Sequence, residues 1–153
     1  MGKLGEQIFI KIFGGVRSTD DFDNTKDIIM EYVVDNEIKH THVEVKTQCR
    51  YPAMGVFSIE DAHLNENNNI VGVENIIKCF NVERLVFIEY DETDVLKFWE
   101  CPQPRKYKKY TTKKGNKKMI GFPISQMTLI YELNDPILVN QIRSLSQAER
   151  FKK

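Results

Sequence analysis

The order of patterns along this chain predicts an α/β protein built on one mixed sheet flanked by helices. Three observations carry the prediction. An amphipathic helical segment opens the chain, β-branched runs separated by polar stretches follow it, and a second helical stripe precedes a further pair of strands. A chain of 153 residues is long enough for one domain with a single core. That domain is expected to span 1–153, with its core over about 3–90 and a C-terminal elaboration over 95–153.

The opening segment GKLGEQIFIKIFGG sets Leu4, Ile8 and Ile12, with Phe9 and Phe13, at helical spacing, and Gly14-Gly15 supplies a stop. A short extended piece, VRS at 16–18, leads into the acidic loop TDDFDNTK. The run DIIMEYVV, 27–34, is β-branched and aromatic, as strands are. DNEIK reads as a polar turn, and HVEVKTQ returns as the antiparallel partner.

Further on, Ser58 is placed to cap a short helix over 59–65, and NENNN at 65–69 is a polar loop. GVENIIKCF, 72–80, puts Val73, Ile76, Ile77 and Phe80 on one helical stripe. LVFIEY, 85–90, and VLKFWEC, 95–101, read as strands joined across DETD. Asp135 followed by Pro136 marks the start of a closing helix, ILVNQIRSLSQAERF.

Composition excludes several classes. With 41% hydrophobic and 29% charged residues the chain is ordinary globular protein. No apolar run approaches the roughly 20 residues that span a bilayer, and no signal segment opens the chain. No membrane partner and an intracellular location, cytoplasmic or nucleoid-associated, are expected. Cys49, Cys79 and Cys101 are odd in number and widely spaced, which predicts reduced, mostly buried thiols.

Charge is divided unevenly. Residues 1–100 hold 10 Lys/Arg against 19 Asp/Glu, a net of −9, whereas 101–153 hold 12 against 3, a net of +9. Such a split points to a polyanion-facing C-terminal part joined to an acid-rich part with another task. The run RKYKKYTTKKGNKK, 105–118, holds eight cations and no acid, with Tyr107 and Tyr110 interleaved. This composition grips phosphates and stacks on bases, the plain alternative being a solvated hairpin. Gly115-Asn116 would form its tip. Arg105, Lys106, Lys108, Lys109, Lys113, Lys114, Lys117 and Lys118 are the candidate DNA contacts, with both tyrosines and Arg17.

The most telling stretch is HTHVEVKTQCRY, 40–51. Alternate residues of a strand share a face, so Glu44, Lys46 and Gln48 lie on one side and Val43 and Val45 on the other. A carboxylate is a hard oxygen ligand for Mg²⁺, which takes one or two protein carboxylates plus waters. A lysine two residues on, roughly 6–7 Å along the strand, orients water or offsets charge building on a phosphorane. The plain alternative is an exposed ion pair worth ~0–1 kcal/mol. A second acid–x–lysine match, Glu37-Ile38-Lys39, falls in the expected turn, where a solvated charge pair is the natural reading. His40, His42 and His63 have no partner at ligand spacing and read as exposed turn or loop residues.

The arrangement GE (5–6), VRS (16–18), KDII (26–29) and VEVKTQ (43–48) resembles the PD-(D/E)XK nuclease superfamily. It is especially similar to archaeal Holliday-junction resolvases and small restriction-type endonucleases. The resemblance covers roughly residues 3–90, no proline precedes Asp27, and the region after 95 has no counterpart. It implies a restriction-endonuclease-like αβββαβ core carrying a C-terminal basic hairpin and helix. It also implies a Mg²⁺-dependent DNA endonuclease, with Mn²⁺ substituting and the active unit a homodimer. Asp27 and Glu44 would bind metal, Glu6 would complete the site, Lys46 would act on the water or transition state, and Gln48 would steady the site. If the strand register slips, Asp23, Asp20 or Glu31 would take the place of Asp27. Duplex cleavage of restriction or homing type is favoured over junction resolution, and a non-cutting nucleic-acid-binding module on the same scaffold is the alternative of another class.

Overall fold

In the computed structural model two sheets face one another, and the first and last helices of the described residues lie on the far side of the larger sheet. The structure describes residues 2–17, 28–49, 55–64, 70–71, 79–111 and 118–151. Helix α1 (Gly2–Phe13) ends where Gly14 and Gly15 take φ of 88° and 99°, and the Gly14 N–H donates to Ile10 O at 2.8 Å. A Cβ on Gly15 would come within 2.9 Å of Ile28, so the turn needs both its positive φ and its missing side chain.

Strands β1 (Val16–Arg17), β2 (Ile28–Val34) and β3 (Glu37–Cys49) form an antiparallel meander. The second sheet takes β4 (Val56–Leu64), β5 (Ile70–Val71), β8 (Lys108–Thr111) and β9 (Lys118–Pro123) in the order β5-β4-β9-β8. β6 (Arg84–Tyr90) adds parallel to β3, and β7 (Val95–Cys101) and β10 (Thr128–Asn134) complete the six-stranded main sheet in the order β1-β2-β3-β6-β7-β10. A 3₁₀ turn, Ile124–Gln126, joins β9 to β10. Helix α2 (Pro136–Phe151) closes the described chain, with Asp135 Oδ1 accepting the Leu138 N–H at 3.1 Å, as its cap sequence predicts.

Strand alternation sorts the main sheet into two faces. Val43, Val45, Val86, Ile88, Leu96 and Phe98 pack with Ile8 and Phe9 of α1 and Val139 and Ile142 of α2. Leu85, Phe87 and Cys101 point the other way, into Phe57, Ile59, Ile120 and Phe122 of the second sheet. The result is three layers, helices on sheet on sheet.

Several expectations need correcting. The turn after β2 is only Asp35-Asn36, both at positive φ (51° and 64°), as a two-residue hairpin turn of primed type requires. Glu37, Ile38 and Lys39 are therefore strand residues, paired with Val34, Val33 and Tyr32. No helix follows Ser58; β4 runs through it, because Phe57 and Ile59 alternate into the core and the strand pairs with β9. His40, His42 and His63 lie in strands, not loops. Within the expected C-terminal elaboration, β7 pairs with β6 across DETD as expected, and β10 extends the main sheet beyond β7. The expected helix at 72–80 lies largely outside the described residues; residues 79–81 are helical. Cys79 and Cys101 are buried and Cys49 half-buried, all as thiols.

Candidate active site

The long strand β3 does two jobs along its length. Its first half pairs with β2 and stands in solvent; from Val43 onward it pairs with β6. Only in that second half does a polar side chain meet a closed environment. Glu44 is adjacent to Leu85 and Lys46 to Phe87 across the parallel ladder, so both polar residues share a face with apolar neighbours. Glu44 is 9% exposed, and its Oε1 lies 3.2 Å from the Lys46 ammonium. The two charges reach this distance on one sheet face, between the sheets, as alternation requires.

Gln48, next on the same face, has a different role. Its amide oxygen accepts the Ser58 N–H at 2.9 Å, and its amide nitrogen donates to the Ser58 carbonyl. The side chain thus supplies β4 with the bonding pattern of a neighbouring strand. The Ser58 hydroxyl in turn meets the Tyr110 hydroxyl, reached across β9 over Gly121, where a Cβ would sit 3.4 Å from the tyrosine ring. A chain of contacts therefore runs from the basic strand β8 through Tyr110, Ser58 and Gln48 to the acid–x–lysine strand.

Glu6 forms a second ion pair, with Arg17 Nε 3.2 Å from its Oε2. Arg17 is thus engaged within the fold, opposite Ile28 in the β1–β2 ladder. Asp27, Asp20 and Asp23 lie outside the described residues; Ile28, the residue after Asp27, pairs with Val43, the residue before Glu44. Glu31 is exposed on the outer hairpin, where its carboxylate meets His40 at 3.2 Å. Among the described residues no group of three or more His, Cys, Asp or Glu side chains is placed to hold a metal ion.

The basic segment divides. Arg105 is buried, 8% exposed, and donates to the carbonyls of Cys101 (3.2 Å), Phe80 (3.0 Å), Val82 (2.8 Å) and Glu83 (3.4 Å). Burial holds its pKa below the usual arginine value, with the neighbouring Cys101 pulling the other way. Four of the five N–H donors of this buried guanidinium are taken by main-chain oxygens of the fold itself, which corrects its assignment as a DNA contact. Lys106, Tyr107, Lys108 and Lys109 are exposed, with the Tyr107 ring edge-on to Phe80 at 5.1 Å. Tyr110 is half-buried. Lys113, Lys114 and Lys117, with the Gly115-Asn116 tip, lie outside the described residues, and Lys118 is known only as a backbone position in β9.

No family model, no curated protein and no solved structure matches the chain. Among the described residues no helix is long and apolar enough to cross a membrane.

Sequence reading misses Glu89. It stands beside Gln48 in the ladder, is 3% exposed, and accepts the Trp99 indole N–H at 3.3 Å. The signal is present: an acid inside the apolar run LVFIEY is the same anomaly that singles out Glu44. Ser58 and Tyr110 give no such signal, because their importance arises from the meeting of two sheets.

Proposed function

We propose that this chain is a Mg²⁺-dependent endonuclease acting on DNA, with the active site on β3. One observation carries the reading: a largely buried glutamate and a lysine two residues on form a 3.2 Å pair on one face of a strand that runs parallel to β6. The strand order β1-β2-β3-β6, an antiparallel meander followed by a parallel neighbour, supports the resemblance to a restriction-endonuclease-like core.

Glu44 has the donor chemistry that Mg²⁺ requires, a hard carboxylate oxygen, and an ion that keeps most of its waters needs few protein ligands. Glu44 would hold the ion, with Asp27 and Glu6 the further proposed carboxylates. When bound, the ion would activate a water for attack on phosphorus. Lys46 would give up its contact with Glu44 and turn its ammonium toward the water or the phosphorane oxygens. Gln48 is a positioning residue: by tying β3 to β4 it fixes the stretch of strand that carries Lys46. Lys106, Lys108 and Lys109 would neutralise the DNA backbone, which an acidic site otherwise repels. Cutting both strands calls for two copies related by a two-fold axis.

The test is a cleavage panel of supercoiled plasmid, linear duplex, four-way junction, single-stranded DNA and RNA with Mg²⁺ or Mn²⁺. Discrete plasmid fragments are expected, whereas preference for the junction would mark a resolvase. Lys46→Ala should slow cleavage by at least about 100-fold in a protein that still folds and still binds DNA. Failure to nick any DNA, or full activity in Lys46→Ala, would overturn the proposal. DNA affinity indifferent to Glu44→Ala, with no divalent binding by calorimetry, would mark a non-cutting module instead.

A further inference from the structure

The hairpin of β2 and β3 extends past its neighbours as a two-stranded ribbon. β1 joins β2 only at Ile28 and Ile29, and β6 joins β3 only from Val43. Every residue from 31 to 40 is exposed, among them Val33 at 69% and Ile38 at 66%. A two-stranded ribbon with apolar residues in water is marginal alone, and an open strand edge invites pairing.

The edge of β3 that has no neighbouring strand among the described residues can be read residue by residue. The His42 main-chain N–H donates to the Glu83 carboxylate, just before β6 begins, so His42 turns its backbone groups away from β2. Backbone direction alternates along a strand paired on one side, so Ile38 and His40 also present N–H and C=O to the open edge.

We infer that this edge is where two copies of the chain join, β3 to β3, antiparallel about a two-fold axis at Ile38. The inference deepens the two-fold arrangement proposed above, rests on that reading for its purpose, and names its interface. In that register Ile38 exchanges both main-chain hydrogen bonds with Ile38 of the second copy. One face then carries a row Val33, Ile38, Ile38, Val33 across four strands, since Val33 and Ile38 are already cross-strand partners. The other face sets Glu37 of each copy against Lys39 of the other, two opposite-charge pairs. The Glu37-Ile38-Lys39 triplet is thus self-complementary, which an edge merely guarded by like charges would not be.

Sedimentation velocity over a concentration series tests this without any cleavage measurement, and neither residue belongs to the proposed catalytic site. Wild type should dimerise. Glu37→Lys and Lys39→Glu should each weaken the dimer by about tenfold or more, because two attractive pairs become repulsive. An equimolar mixture of the two variants should restore it, since every cross-pair is again opposite in sign. Circular dichroism should show both variants folded. A wild-type protein that stays monomeric at its highest soluble concentration overturns the inference, as does a dimer indifferent to either reversal or a mixture that fails to reassociate.

Discussion

The amide of Gln48 holds Ser58 by both its main-chain groups, accepting from the N–H at 2.9 Å and donating to the carbonyl. One side chain therefore stands in for a strand at the edge of β4 and joins the two sheets at the end of the proposed site. Replacing it with alanine leaves two part-buried backbone groups without that partner, at a cost of about 2–3 kcal/mol. Gln48→Ala should accordingly melt well below wild type, while Tyr110→Phe, which removes only the hydroxyl bond to Ser58, should cost about 1 kcal/mol. A Gln48→Ala protein with a wild-type denaturation midpoint would show that the sheets are joined by their apolar packing alone.

The cations of the 105–109 stretch should separate into two behaviours. Arg105 is bound to four carbonyls in the interior, so Arg105→Ala strips several buried acceptors at once and should destabilise by about 3 kcal/mol or more. Lys108 and Lys109 are exposed, and Lys108→Ala with Lys109→Ala should leave stability within about 0.5 kcal/mol of wild type. The same pair should weaken DNA binding and flatten its dependence on log salt by about two, roughly one for each phosphate no longer neutralised. An unchanged salt slope would remove β8 from the DNA-facing surface.

How much of this is legible in the sequence follows from where each interaction lives. The helix stop at Gly14-Gly15, the cap at Asp135-Pro136 and the one-sided polarity of Glu44, Lys46 and Gln48 are local, set by dihedral preference and strand alternation, and can be read directly. The second sheet cannot, because Phe57 and Ile59 become strand residues only through pairing with β9, some sixty residues away. Arg105 looks like its lysine neighbours, and only the carbonyls converging from residues 80–83 and 101 distinguish it. The short turn at Asp35-Asn36 reads as five residues because its flank, Glu37 to Lys39, is polar for lack of a neighbour rather than for lack of strand structure.

Asp91 should leave a mark on acid stability. Partial burial pushes its carboxyl pKa up, but hydrogen bonds from the Thr93 hydroxyl (2.5 Å) and N–H (2.7 Å), with the charges of Lys97 and Arg143, outweigh it, so the net shift is downward. A carboxyl with a lowered folded-state pKa contributes stability that is complete above the unfolded value, about 4, and is lost as pH falls through the folded value. The group sits in a solvated turn, so screening keeps the contribution below about 1 kcal/mol. Asp91→Asn should therefore lose less stability than wild type between about pH 4 and pH 2, measured by urea midpoints. Parallel acid limbs for the two proteins would show that the turn is not titrating in this way.

Gly5 on α1 and Thr47 on β3 set how closely the first helix approaches the strand of the proposed site. A Cβ at position 5 would overlap the Thr47 hydroxyl and lie 3.4 Å from its Cβ, with an Ile88 methyl at 3.7 Å. Helix propensity alone would make Gly5→Ala stabilising by about 1 kcal/mol. The overlap reverses the sign, since α1 must lift from the sheet or Thr47 must turn, and overpacking of this kind costs about 1–3 kcal/mol. The Thr47 hydroxyl is buried with no hydrogen-bond partner among the described residues, so removing it forfeits little polar stabilisation. Thr47→Ala then opens the space that an alanine at 5 would fill. The double variant should be more stable than the sum of the single effects predicts, with a coupling of about 1 kcal/mol or more in a denaturation cycle. Additive effects, or a Gly5→Ala protein more stable than wild type, would mean that the helix does not rest on Thr47 at this point.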